Sequence, residues 1–300
     1  MAGITKMAEV FLEKDELLDV IREQGIAHKK RSDHKLEFKD LMRYRIDKIL
    51  LVCSFYDYYT IVEDGHLQEA LFNEYLELNL HYAPHIKRAY SGQTALKYLE
   101  KEEFDLIITT LRLGDINIRE FSEKVKEKYP DVPHVLLASQ SRELQMLIER
   151  SALKDIDKIF IWNGDRKIFL AIIKHYEDRM NADIDCLQFG VTCIILVEDS
   201  PVFYSSYLPK IYTEVMNQTQ KLIQEGNSTA EKVLRQRARP KIFHAQNYEE
   251  AISFFKKYQN SLLGIVTDIK FRKNGKMEEE AGLDLVVEVK KELPHLPMLV

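Results

Sequence analysis

Apolar runs of four to six residues alternate with amphipathic helical stretches along this chain, and the alternation starts twice. From Lys48, KILLVCS reads as a strand, LQEALFNEYLELNLHY as a helix, HIKRAYS as a strand and GQTALKYLEKE as a helix. FDLIITTLRL, HVLLASQS and DKIFIWN continue the strands. REFSEKVKEKYP and RELQMLIERSAL separate them as helices, and RKIFLAIIKHYEDRMN closes the series. A strand buried on both faces has no polar side, so it reads as an unbroken apolar run. That pattern belongs to parallel sheets covered by helices. The expectation is an α/β domain of five strands and five helices between about 46 and 182.

After ADIDCLQFG the rhythm restarts. TCIILVEDSP is a strand with an acidic end, followed by the long helix VFYSSYLPKIYTEVMNQTQKLIQ and the polar insert EGNSTAEKVLRQRARP. KIFHA and LLGIVTDIKF are further strands around the helix YEEAISFFKKY. RKNGKMEEEAG reads as a loop, LDLVVEVKKEL as a helix and LPMLV as a fourth strand. The copies align: ILLVCS (49–54) with IILVED (194–199), FDLIITT (104–110) with LLGIVTD (262–268), and YPDVPHVLL (129–137) with LPHLPMLV (293–300). This internal repeat predicts two doubly wound, flavodoxin-like parallel-sheet domains, 46–182 and 191–300. The second is truncated, lacking its fourth helix, fifth strand and fifth helix. A sheet left open at an apolar strand implies that the protein continues beyond Val300. Residues 1–45 read as an N-terminal helix, with Val10, Leu17, Leu18 and Ile21 on one face and Gly25 at its end, followed by the basic linker HKKRSDHK.

The formal charge of −5 excludes an unaided grip on nucleic acid or an anionic membrane. The N-terminus has no signal-peptide core, and no apolar run approaches the ~20 residues that span a bilayer. The three cysteines, Cys53, Cys186 and Cys193, have no metal-ligand spacing and cannot all pair. A reduced, cytoplasmic setting is the default.

In a parallel α/β sheet, sites form at the carboxyl ends of the strands. Glu198 and Asp199 end the first strand of the second copy, and Asp268 ends the third. In the usual strand order these strands are neighbours, so the three carboxylates converge and repel. A magnesium ion suits them, because it takes oxygen ligands and keeps several waters. Asp268 is then placed to attack phosphorus in line, with Glu198 and Asp199 holding the metal and the backbone carbonyl of Lys270 completing the set. EDSP is equally a good helix start, with Pro201 in the first turn, and a strand-end TD is common in loops. The pairing of both features in one βα repeat favours the site.

ILVEDSP followed by GIVTDIKF resembles the receiver domain of two-component response regulators. The resemblance covers the second copy from about 191 and, with decayed motifs, the first from 46 to 180. It implies Mg²⁺ binding by Glu198, Asp199 and Asp268, and transfer of phosphate to Asp268 from a histidine kinase or another phosphodonor. Further partners implied are a downstream domain of the same chain and a second copy in a homodimer. The first copy departs at each chemical position: Cys53 and Ser54 replace the acidic pair, Thr110 the phosphoacceptor and Trp162 the strand-five lysine. Ser139 keeps a hydroxyl near the end of strand four. Asp57 lies past the first strand and Asp105 near the start of another, so neither is expected to replace the lost ligands. The first copy therefore reads as a pseudo-receiver.

The long helix after Pro201, with RQRARPKIFHAQNYEEA and the extended loop before AGLDL, departs from compact receivers. The arrangement resembles the N-terminal region of large bacterial proteins related to phosphoenolpyruvate synthase and pyruvate phosphate dikinase. That resemblance implies an ATP-using phosphotransferase downstream. The segment in hand is not read as an enzyme in its own right.

Overall fold

A computed structural model describes residues 41–61, 67–78, 80, 82–149, 153–224 and 237–300. The N-terminal helix and linker expected over 1–45 lie almost wholly outside these residues, as does most of the polar insert. The described residues form two bodies. The first comprises Ile46–Tyr176 with Pro201–Pro209, and the second comprises residues 41–45, Glu177–Ser200 and Lys210–Val300.

The first body holds β1 (Lys48–Val52), α1 (Phe55–Ile61), α2 (Leu67–Glu77), β2 (His85–Ala89), α3 (Gly92–Leu99), β3 (Leu106–Thr109), α4 (Ile118–Lys128), β4 (His134–Ala138), α5 (Arg142–Glu149) and β5 (Lys158–Ile161). The five strands form one parallel sheet in the order β2-β1-β3-β4-β5, the flavodoxin-like order. Buried Leu50, Ile107, Leu136 and Phe121 sit in its core. Strands β3 and β4 are buried at every residue, as their unbroken apolar runs predict. Edge strand β2 is different: His85 is exposed and Lys87 pairs with Glu102 at the surface. Charges along an edge discourage pairing with a foreign strand. The short helix α1 interrupts the stretch between β1 and α2, giving one more helix than the apolar rhythm predicts.

Helix α6 (Lys167–Ala182) leads through a π-turn, Asp183–Gln188, into the second body. There follow β6 (Cys193–Val197), α7 (Pro201–Gln224), β7 (Lys241–Ala245), α8 (Tyr248–Tyr258), β8 (Leu262–Thr267), β9 (Phe271–Lys273), β10 (Lys276–Glu278), α9 (Ala281–Glu292) and β11 (Met298–Leu299). A four-stranded sheet runs in the order β11-β8-β6-β7, and its three strand pairings are parallel. Phe243, Phe255, Ile265, Phe271 and Leu285 fill its core. The expected α/β class and the repeated parallel sheet are present.

Edge strand β7 is fully buried, unlike β2. Asp178, from the end of α6, accepts from the backbone N–H of Ile242 at 3.0 Å and binds Arg239 at 2.6 Å. The Tyr212 hydroxyl donates to the same carboxylate at 3.2 Å. Lys241 pairs with Asp185 of the π-turn at 2.7 Å, with both side chains fully buried. Buried charges persist only when paired, and these pairs close the sheet edge. ADIDCLQFG, the segment between the two repeats, thus carries the counter-ion of a core lysine.

RKNGKMEEEAG is not the simple loop that its polarity suggests. Strands β9 and β10 form an antiparallel ribbon, with Lys273 opposite Lys276. Asn274 and Gly275 supply the turn at φ 52° and 75°. Asn-Gly favours a two-residue turn with both residues at positive φ, because its twist matches the flanking strands.

Candidate functional site

Strand β6 lies beside β8 in parallel, with Val197 opposite Thr267. The amide of Asp268 donates to the Val197 carbonyl at 3.0 Å. The next residues beyond this register are Glu198–Asp199 on one strand and Asp268 on the other, so the three predicted carboxylates share one end of the sheet. Glu198 is buried at 4 % exposure, Asp199 is half-buried and Asp268 is exposed.

The carboxylates sense each other. Burial pushes the Glu198 carboxyl up to about 7. The Ser200 amide opposes the rise, and the charges of Asp268 and Asp199 add to it. Burial also raises Asp199, against the pull of the Arg272 guanidinium and with the push of Asp268. An acid is raised in this way when its ionised form loses water and meets like charge. Among the described residues, no cation is set against the buried Glu198 carboxyl.

Local backbone occupies part of this donor set. Glu198 Oε1 accepts from the Ser200 amide at 3.0 Å, and Asp268 Oδ1 from the Ile269 amide at 2.8 Å. Accordingly, among the described residues no three His, Cys, Asp or Glu side chains stand together at metal-ligand geometry. In kind the donors fit a hard divalent cation: all are carboxylate oxygens on adjacent strands, and their mutual repulsion is what such a cation relieves. Rotation of Glu198 and Asp268 away from the local amides would free them. Lys270, predicted to give its carbonyl, follows Asp268 in an exposed turn, and its ammonium pairs with Glu279.

Two neighbours that the sequence reading did not single out shape the site. His244 is buried on β7 and its Nε2 lies 2.8 Å from the Glu198 carbonyl oxygen, bracing the acidic end of β6. Gly282 lies in the first turn of α9, against the loop that follows β8. A Cβ there would stand 2.1 Å from the Asp268 carbonyl oxygen, and the Gly282 amide donates to Ile269 O at 2.8 Å. The AG before LDL was the available signal for such a close approach.

The equivalent end of the first body is built differently. Cys53 is fully buried, and burial pushes its thiol up to about 12, far from a reactive thiolate. Thr110 follows β3 where Asp268 follows β8. Its hydroxyl donates to Asp57 Oδ2 at 3.0 Å, and Ser54 Oγ accepts from the Asp57 amide at 3.1 Å. Asp57 does lie past the strand, and the unforeseen helix α1 turns it back onto Thr110. Asp105 does lie at the opposite end of its strand, where it accepts from the amides of Asp47 and Lys48 at 2.9 and 2.8 Å. Trp162 continues β5, with its amide bonded to Ala138 O at 2.9 Å and its ring 6.1 Å from that of Phe169. Arg88 stacks on Tyr58 and Tyr90 at 3.7 and 4.2 Å. Arg88 and His244 hold equivalent places on β2 and β7, opposite Leu51 and Leu196.

The response regulator receiver domain family matches residues 60–160, roughly a third of the chain. This segment lies in the first body and begins beyond Cys53 and Ser54, so the family signal there comes from the sheet and its helices. Similar solved structures include the chemotaxis response regulator CheY4 of Vibrio cholerae, at 17% identity over 43% of this chain and 97% of that one, TM-score 0.33. Another is the Thermotoga maritima response regulator TrrA in complex with Mg²⁺-BeF, at 19% identity over the same shares, TM-score 0.33. NtrX of Brucella abortus in complex with ADP is similar over 79% of this chain and 58% of that one, at 9% identity and TM-score 0.36. No curated protein matches this chain. Among the described residues no helix is long and apolar enough to cross a membrane.

Proposed function

We propose that this chain is a tandem receiver region in which the second body accepts a phosphoryl group on Asp268 and the first is a pseudo-receiver. The observation that carries the reading is the β6–β8 register, which sets Glu198 and Asp199 beside Asp268. The match to the receiver family over 60–160 supports the class, and the repeat extends it to the second sheet. Asp268 is the exposed member of the three, so an incoming donor meets it first.

The chemistry is an in-line displacement. An Asp268 carboxylate oxygen forms a bond to phosphorus as the donor bond breaks. With a phosphohistidine donor that bond is P–N, and its electron pair returns to the imidazole, which keeps its proton balance by exchange with water. Glu198, Asp199, Asp268 and the Lys270 carbonyl would hold Mg²⁺, which supplies charge neutralisation for the phosphoryl oxygens. His244 holds the main chain of buried Glu198 in place. In this reading the phosphodonor is a histidine kinase or a small acyl phosphate, and the modified carboxylate biases the second body between two states.

The test is uptake of beryllofluoride, a phosphoryl mimic, with Mg²⁺. Spectra of the protein are expected to change, and those of Asp268→Asn to stay constant. Equal behaviour of the two proteins would leave a phosphorylation-independent scaffold as the better account.

A further inference from the structure

The ribbon β9–β10 follows a path that its sequence does not require. Asp268 directly follows β8, at one side of β6. Arg272, four residues later, forms a backbone bridge to Asn247, just beyond the end of β7 on the other side of β6. Strand β6, with Glu198 and Asp199 at its tip, lies between. The segment from Asp268 to Arg272 therefore passes across the carboxyl end of β6. The crossing is one to two strand spacings of ~4.8 Å, well inside the ~14 Å that four extended residues can reach.

The strap is fastened at both margins. Phe271 is fully buried in the second core. The Asn274 amide donates to Glu249 Oε1 at 2.7 Å, and Lys273 pairs with Asp284. Lys273 Nζ also lies 4.6 Å from the ring of Tyr248. Between these anchors the exposed Arg272 is the cation whose charge falls on Asp199.

The geometry points to Arg272 as a positioning residue of the acidic site: the strap holds a fixed positive charge beside Asp199, where it opposes entry of a divalent cation and attracts the phosphoryl anion. This deepens the phosphoacceptor reading and rests on it for its second half. A guanidinium suits the task because it stays charged and presents several donors to phosphoryl oxygens. Asp268 and Arg272 leave the same segment, so modification of one is felt by the other through four residues of chain.

The two halves have opposite signs, which separates them from loss of structure. Mg²⁺ is titrated calorimetrically into the protein, Arg272→Ala and Arg272→Lys, and beryllofluoride is then titrated at saturating Mg²⁺. Phe271 and the Asn274–Glu249 bond remain in both variants, so the ribbon keeps its anchors. Arg272→Ala is expected to bind Mg²⁺ roughly fivefold more tightly and beryllofluoride roughly fivefold more weakly, with Arg272→Lys near the parent for Mg²⁺. Unchanged or weaker Mg²⁺ binding by Arg272→Ala overturns the inference. Failure of the parent protein to take up beryllofluoride overturns the phosphoacceptor reading. Tighter Mg²⁺ binding by Arg272→Ala would still sustain the charge role. Absence of Mg²⁺ binding in all three proteins overturns both.

Discussion

The two bodies use one parallel-sheet plan and finish its carboxyl end in opposite ways. In the second, Glu198, Asp199 and Asp268 gather unpaired negative charge, and Arg272 on the strap is the cation set against it. In the first, Cys53 is a buried neutral thiol, and Thr110 and Asp57 satisfy each other with a hydrogen bond of 3.0 Å. The scaffold thus tolerates loss of the three strand-end carboxylates, with Asp57 reaching this end from a neighbouring helix and satisfied by Thr110. The acids of the second body cost stability there, which is the usual mark of groups kept for chemistry. The sheet edges differ as well. β2 is defended by exposed charges and β7 by charge pairs inside the core.

Breaking the buried edge gives the largest effect. Asp178→Ala leaves Arg239 without its partner and removes the acceptor of the Ile242 amide. A loss of ~3–5 kcal/mol in urea denaturation is expected. Lys87→Ala at the exposed β2 edge should leave the same transition nearly in place. Equal losses would erase the contrast between the edges.

Gly282→Ala comes next. Alanine ordinarily favours a helix over glycine, yet here its methyl would overlap the Asp268 carbonyl. A destabilisation of about 1–3 kcal/mol and loss of beryllofluoride uptake are expected, measured on the same protein by denaturation and calorimetry. A stabilised variant with normal uptake would show that the loop does not depend on this close approach.

A pH series sharpens the electrostatic difference. The unfolded chain releases the Glu198 proton near pH 4.5, whereas the folded protein keeps it until about pH 7. The stability tied to this group is complete below about pH 4.5 and is lost as pH rises through about 7. Glu198→Gln should therefore melt higher than the parent at pH 8 and equal it near pH 4.5. Cation binding by the parent should weaken as pH falls through about 7. A constant difference across the series would contradict the buried, crowded carboxylate.

The smallest effect lies in the first body. Asp57→Ala removes one side-chain hydrogen bond to Thr110 and is expected to cost ~1 kcal/mol, read by denaturation. It should leave Mg²⁺ affinity unchanged. A drop in Mg²⁺ binding would place cation chemistry in the first body after all.

Much of this was legible in the residues. KILLVCS, FDLIITT and IILVED show as buried strands because a fully covered strand carries no polar face. The repeat alone aligns Asp268 with Thr110. The ribbon was missed although Asn274-Gly275 signalled a turn, because its flanks, FRK and KME, are too short and polar to read as strands. The Asp57–Thr110 contact is not legible because helix α1 is only seven residues, FYDYYTI, rich in aromatics and without an apolar period. The buried pairing of Lys241 with Asp185 is a tertiary event across 56 positions of chain, and no local pattern announces it.

The central claim is that phosphoacceptor chemistry resides in the second body alone. The direct measurement is to incubate the protein with Mg²⁺ and an acyl phosphate, reduce the product with borohydride, and locate the resulting homoserine by peptide mass spectrometry. The account predicts conversion of Asp268 and no conversion of Asp57. An unmodified Asp268, or a modified Asp57, would contradict it.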